Sequence, residues 1–164
     1  MPLVHDRAGC GAAWCAFVLG VASAAVSAFW AAGGTALLDT VGGSIERWGR
    51  ERSFAVPLVL VAVAALKLVV AVAAPLAAGA VHAPAWMAGR VSRLLSWIAA
   101  GTLALYGGVL TAAGLLVQRG VIEPNPQADR HALAWHTWFW DPWFLLWWIA
   151  FVVALWRTRA TANG

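Results

Sequence analysis

Charged residues are scarce in this chain of 164 residues, and their scarcity excludes a soluble domain. Asp, Glu, Lys and Arg make up 11% of the sequence and hydrophobic residues 62%, whereas soluble domains carry about 25% charged residues. Between Ser53 and Gly89, Lys67 is the only residue of these four types. The apolar surface of such a chain must face lipid rather than water.

Cysteine is also scarce, since only Cys10 and Cys15 occur. Five positions apart on a helix, their side chains point in different directions, which argues against a disulfide between them.

The high pI of about 10.0 could indicate a nucleic-acid partner. However, ten of the eleven basic residues are arginines scattered among the connecting segments. Without a basic stripe, we expect no nucleic-acid binding.

What the sequence does contain is apolar segments of membrane-spanning length. Crossing about 30 Å of hydrocarbon takes roughly 20 residues of helix. Spans are predicted at residues 11–32, 54–79, 94–117 and 142–156. Helices are the expected spanning form, because the alternation typical of barrel strands is absent. The fold class is therefore an all-α membrane protein, a four-helix transmembrane bundle in one integral membrane domain covering residues 1–164.

The connecting segments carry recognisable helix ends. Gly33 and Gly34 end the first span, and the segment Asp39–Arg52 is predicted to be a surface loop with one short interfacial helix. After a loop at Glu123–Pro126, a second short interfacial helix is expected over Asp129–Trp140, before the fourth span. Asp141 followed by Pro142 is typical of an N-cap and the first helical position, and predicts the start of that span.

The sequence contains only weak signals for the orientation of the protein in the membrane. Four spans place both termini on one side, and five arginines fall on each side, so the positive-inside rule does not decide. Six of the seven acidic residues lie opposite the termini, and we call that side the acidic side. We expect a multi-pass protein of the cell membrane with both termini cytoplasmic.

Small and aromatic residues indicate how the helices pack. Ala100, Ala104, Gly108 and Ala112 recur every fourth position in the third span, and Gly20, Ala24 and Ala28 do so in the first. Such stripes permit close helix approach in lipid.

The twelve tryptophans cluster where apolar segments end, which is typical of interfacial belts. The dense cluster from Trp135 to Trp148 leaves open an aromatic pocket for an organic cation or a lipid.

Lys67 is the leading functional residue, because a charge at a bilayer centre is costly and usually faces a bundle interior. At its depth the other spans offer neutral polar groups and no carboxylate: Ser23, Ser27, Thr102 and Tyr106. Either the amine loses its proton or it reaches a charge nearer the interface. Helical side chains lean toward their own N-terminus, which here is the acidic side. We therefore predict a direct or water-bridged contact between Lys67 and Asp141. A structural lysine bonded to Tyr106 is the alternative.

Other candidate chemistry is sparse. His131, His136 and Asp141 are spaced by five, and residues five apart on an α-helix diverge by about 140°, which disfavours a metal site. His136 and Asp141 remain candidates for an acid–base pair. Paired-histidine haem ligation is disfavoured, because His82 lies on the opposite side from His136. No metal-protease, nucleophile-elbow or phosphate-loop pattern occurs, so no cofactor or metal is predicted.

Four sequence elements resemble one family. They are Phe29–Thr35 (FWAAGGT), Leu38–Gly43 (LDTVGG), Tyr106–Leu110 (YGGVL) and Trp140–Leu146 (WDPWFLL). In these elements the chain resembles the small bacterial integral membrane proteins of domain of unknown function family 3995. The resemblance implies a four-helix membrane protein and carries no activity over to this chain.

Three functions follow from these patterns. The first is binding of a lipid-like or organic ligand in a cavity that is open toward the acidic side and lined by Lys67, Tyr106, Asp141, His136 and Asp39. The second is a structural or accessory bundle that associates with other membrane proteins or with copies of itself. The third is a membrane enzyme or proton-coupled carrier that uses Lys67. The lipid bilayer is the expected partner in all three.

Overall fold

The computed structural model describes residues 7–51, 55–81, 90–124 and 128–161. Some residues used in the predictions above lie outside these ranges, among them Arg52, Phe54, His82, Asn125 and Pro126.

Every regular element in the described ranges is helical. The α-helices are α1 (Arg7–Ala31), α2 (Gly43–Glu51), α3 (Ala55–Ala77), α4 (Arg90–Ala104), α5 (Leu110–Gln118), α6 (Arg130–Trp135) and α7 (Asp141–Thr161). Two π-helical turns interrupt this series. The first π turn, Leu105–Val109, joins α4 to α5, and the second π turn, His136–Trp140, joins α6 to α7.

In the described part of the chain, four helices are long and apolar enough to cross a membrane, which confirms the predicted number of spans. They cover Arg7–Ala31, Ala55–Ala77, Val91–Gln118 and Arg130–Arg157. The first three agree with the predicted spans to within a few residues. The third span is α4, the first π turn and α5. The fourth span is α6, the second π turn and the apolar part of α7.

The start of the fourth span is the main difference from expectation. The short helix predicted before it is present as α6, but it continues into α7 through the second π turn without a break. Asp129 is the N-cap, and its side chain accepts hydrogen bonds from the backbone of His131 and Ala132. The prediction that Asp141 is an N-cap is wrong, since its backbone is helical (φ −73, ψ −43) and follows a helical turn.

Glycine lets the central helices approach each other. A Cβ on Gly20 would lie 2.5 Å from the Trp147 ring and 2.6 Å from the Ala71 Cβ. The first span therefore contacts both α3 and α7 at this point, and Trp147 is 1% exposed. A Cβ on Gly107 would lie 2.5 Å from the backbone nitrogen of Leu145, so the first π turn packs directly on α7.

The predicted small-residue stripes are right at one end only. Ala100 and Gly20 are buried, whereas Ala112 and Ala28 are exposed. At 3.6 residues per turn, a step of four residues drifts by about 40°, so the third step leaves the packed face. The buried positions instead follow the true helical period, with Gly107 and Gly114 in the third span.

Candidate functional site

Lys67 lies in the middle of α3 and bonds to α1. Its Nζ donates to Ser27 Oγ at 2.9 Å and to the Ser23 carbonyl oxygen at 3.4 Å. The same nitrogen lies 5.4 Å from the centre of the Phe144 ring on α7, within the range of a cation–π interaction. One side chain thus contacts three elements of the bundle.

Lys67 makes its hydrogen bonds to α1 and not directly to Asp141, whereas the predicted lean is right. Ser27 is on the last turns of α1, so the amine does point toward the acidic side. The Lys67 amine contacts the Ser27 hydroxyl instead of reaching the acidic end of the bundle, because α1 packs directly against α3. Asp141 is 3% exposed and already holds another partner, His136.

The second π turn creates the contact between His136 and Asp141. His136 Nδ1 lies 3.1 Å from Asp141 Oδ1. In an α-helix residues five apart diverge, whereas the i to i+5 hydrogen bonding of a π-helical turn brings them onto one face. His136 and Asp141, the predicted candidates for an acid–base pair, are therefore in contact. Such turns are frequent at functional sites.

The contacts of His136 define where its protons lie. Its Nε2 faces the Val41 carbonyl oxygen at 3.2 Å, and a carbonyl only accepts, so Nε2 donates. Nδ1 then faces a carboxylate oxygen, and a proton must lie between the two atoms for them to attract. A doubly protonated His136 ring would satisfy both oxygens and compensate the Asp141 carboxylate. That carboxylate is then not free to neutralise Lys67.

Three side chains fix the 32–42 loop, which connects α1 to α2. Trp30 Nε1 donates to the Ala36 carbonyl oxygen at 2.9 Å, and Trp140 Nε1 donates to Thr40 Oγ1 at 3.0 Å. The His136 bond to Val41 is the third. Leu37 has a positive φ of 63, a conformation that costs a non-glycine residue energy and persists only where surrounding contacts hold it.

A cavity of about 710 Å³ lies beside Lys67. Its polar lining residues are Ser23, Ser27, Lys67, Thr102, Tyr106 and His136. The rest of its wall is apolar and comes from α1, α2, α3, α4, α7, the second π turn and the 32–42 loop. Its aromatic members are Trp30, Trp48, Trp140 and Phe144. Several lining side chains are themselves exposed, among them Val59 (60%) and Leu66 (64%) on α3 and Tyr106 (47%) in the third span. The cavity therefore opens sideways between α3 and the third span.

Three of the five predicted site residues meet at this cavity. Lys67, Tyr106 and His136 line it, and Tyr106 packs edge-on against Phe144 with ring centres 5.1 Å apart. Asp141 is behind His136 and does not line the cavity. Asp39 is on the surface, 56% exposed, where its carboxylate lies 3.5 Å from His131 Nε2.

The closest partners of Lys67 were not predicted as site residues. Ser23 and Ser27 were placed at its depth as neutral groups, and their spacing of four also puts both on one helical face. Phe144 carries no such signal, since its position depends on how α7 packs.

The described lining of the cavity contains a basic side chain but no acidic one. Lys67 is the one Lys or Arg among the lining residues of the described chain, and no carboxylate is among them. No group of three or more His, Cys, Asp and Glu side chains in the described ranges is close enough to hold a metal ion. The chemistry available to a ligand is thus one amine, hydroxyl groups and an extended apolar wall.

Fold and cavity together define a class, the small polytopic helical membrane proteins. A family model described as "Protein of unknown function (DUF3995)" matches residues 20–151. The chain belongs to this family. Comparisons with curated proteins and with solved structures gave no match.

Proposed function

We propose that this protein binds a lipid-like molecule in the cavity beside Lys67. The observation that carries the proposal is that the mid-membrane amine faces a cavity of about 710 Å³, a volume within the range of small-molecule sites. An amine that served only to fix two helices would need no such space. The apolar wall with a few polar groups is also typical of ligand sites.

The sideways opening supports a ligand that comes from the bilayer. The exposed lining residues Val59, Leu66 and Tyr106 belong to apolar spans, so the entrance lies where acyl chains would be. An organic cation, which the tryptophan cluster left open, is disfavoured because a protonated Lys67 would repel it. The proposed binding residues are Lys67, Tyr106 and His136, with Asp141 acting through His136.

Mass spectrometry of molecules retained through purification tests this function. Leu60→Trp places a large side chain into the cavity wall, whereas Val69→Trp adds the same group to an exposed position of α3 that does not line the cavity. We expect a lipid-like molecule to be retained by the wild type and by Val69→Trp, and to be depleted in Leu60→Trp. Equal retention by all three proteins would contradict the proposal.

A structural or accessory role is the second candidate. The observation that favours it is the bond from Lys67 to Ser27, which ties α3 to α1 without any ligand. In that case partners would be other membrane proteins or a second copy of the chain, and Leu60→Trp would change no retained molecule. Crosslinking in membranes followed by purification would identify such partners.

We also propose that the protein resides in the cell membrane with both termini in the cytoplasm. The support is the concentration of acidic residues on the opposite side, an asymmetry that contributes little to topology. Reporter fusions after Gly164 test the orientation. Fluorescence of a cytoplasm-dependent reporter is expected, and activity of a periplasm-dependent phosphatase would reverse the assignment.

A further inference from the structure

In its protonated form, Lys67 has a charge that nothing in the described chain compensates. The carboxylates on the acidic side that have described contacts are already engaged: Asp141 with His136, Asp39 with His131, Glu46 with Arg50, and Asp129 with the first turn of α6. A buried ammonium is stable only if it is paired or well hydrogen-bonded. The Lys67 amine has two protein acceptors, one of them at the long distance of 3.4 Å.

An ammonium group has three donors, so Lys67 keeps at least one for a ligand. The amine lines the cavity, and the Phe144 ring beneath it accepts no conventional hydrogen bond. The Tyr106 ring packs edge-on against the Phe144 ring and lines the same cavity. A ligand group placed here would meet a positive charge with unused donor capacity.

The wall that leads away from Lys67 is apolar and elongated. Val56, Leu60 and Val63 line the cavity on α3 at spacings of four and three, and Lys67 follows four residues later on the same face. From Val56 to Lys67 this stripe rises by about eleven residue steps, or about 16 Å, which is close to half the thickness of the hydrocarbon core. Its length and chemistry fit one acyl chain.

We infer that the ligand is a single-chain amphiphile with one anionic group, such as a long-chain carboxylate, and that its anionic group pairs with Lys67 while its chain lies along the apolar stripe of α3. This inference rests on the proposed function and specifies its ligand class. The anionic group of the ligand supplies the negative charge that no lining carboxylate offers to Lys67. The hydrocarbon chain contacts the apolar stripe of α3.

Sideways entry makes the deep position of the acid accessible. A carboxylic acid can pass through the bilayer in its neutral form. Where the unliganded Lys67 is a neutral amine, the acid then gives its O–H proton to the lone pair of the Lys67 nitrogen. The product is a carboxylate paired with an ammonium, and no isolated charge has crossed the hydrocarbon. Release reverses the same proton transfer.

Equilibrium binding of radiolabelled oleate and oleyl alcohol to the full chain in detergent at pH 8 tests the ligand class. The two probes share one hydrocarbon chain and differ in their polar group. We expect the wild type to bind oleate about tenfold or more tighter than oleyl alcohol, the usual strength of a charge-assisted hydrogen bond. Lys67→Met should remove this preference, and Lys67→Arg should keep it.

Leu68→Met is the matched control, because Leu68 is the next residue on α3 and does not line the cavity. It should bind both probes as the wild type does. If the wild type binds the two probes equally, the inference is overturned while the proposed function stands. If the wild type binds neither probe, the proposed function fails, and this inference fails with it. The wild-type ratio alone decides the inference should Lys67→Met not fold.

Discussion

His136 and Asp141 are five positions apart on one continuous helix, yet their side chains lie 3.1 Å apart. The second π turn makes this contact, and the His136 ring connects it to the Val41 carbonyl oxygen of the 32–42 loop. Asp141 is 3% exposed, so its carboxylate depends on this partner. The pair thus couples the start of α7 to the loop at the acidic end of the cavity.

Removing one member of this pair should destabilise the protein more than removing both. His136→Phe leaves Asp141 buried without a partner, which we expect to cost about 2–3 kcal/mol, the lower end for buried pairs because the histidine side chain is 28% exposed. Thermal unfolding in detergent should show partial recovery in the double variant with Asp141→Leu. His131→Phe breaks the exposed pair with Asp39 and should cost less than about 1 kcal/mol. A double variant less stable than His136→Phe would contradict the pairing.

Gly20 should not tolerate even a methyl group. In Gly20→Ala the new Cβ would meet the Trp147 ring and Ala71 Cβ inside van der Waals contact, and overpacking of this kind costs about 1–3 kcal/mol. Gly11→Ala is the control on the same helix, because nothing lies within 4 Å of its Cβ position. The melting temperature in detergent should fall for Gly20→Ala only. Equal melting temperatures would mean that α1, α3 and α7 do not meet at Gly20.

The Ser27 hydroxyl is the main protein acceptor for Lys67. Ser27→Ala should therefore lower stability by about 1 kcal/mol, the usual worth of one hydrogen bond. Ser23→Ala keeps the backbone carbonyl that Lys67 uses at Ser23, so that acceptor should remain available. Unfolding midpoints in detergent measure the difference. If Ser23→Ala were the more damaging change, the assigned partner of Lys67 would be incorrect.

Trp140 should hold the 32–42 loop through Thr40. Trp140→Phe removes the 3.0 Å hydrogen bond to Thr40 Oγ1, and about 1 kcal/mol of lost stabilisation corresponds to roughly fivefold faster local opening. Hydrogen exchange at the Thr40 and Val41 amides, which bond within the loop, reports that opening. Trp138→Phe changes a side chain that is 67% exposed and should leave exchange unaltered. Unaltered exchange in Trp140→Phe would contradict the loop attachment.

The sequence predicts the four spans because hydropathy over about 20 residues depends on composition alone. The same reasoning finds Lys67 and its lean, since both follow from the geometry of one helix. It also names His136 and Asp141 as a candidate pair, but ideal α-helical angles place these residues apart, and no residue propensity predicts the π-helical turn that brings them together. Ser27 is placed at the depth of Lys67. Its contact with Lys67, and that of Phe144, depends on the packing of three helices, which the geometry of one helix does not determine.

Photo-crosslinking with a diazirine-bearing fatty acid tests the central claim, which is that a lipid-like molecule occupies the cavity beside Lys67. Peptides of the labelled protein distinguish the cavity from the outer surface, because Ser27 and Phe144 line the cavity while Val69 is exposed on α3 and does not. We predict labelling of the peptides containing Ser27 and Phe144 that excess unlabelled oleate suppresses and Leu60→Trp reduces. Labelling confined to exposed positions such as Val69, with no suppression by oleate, would contradict the account.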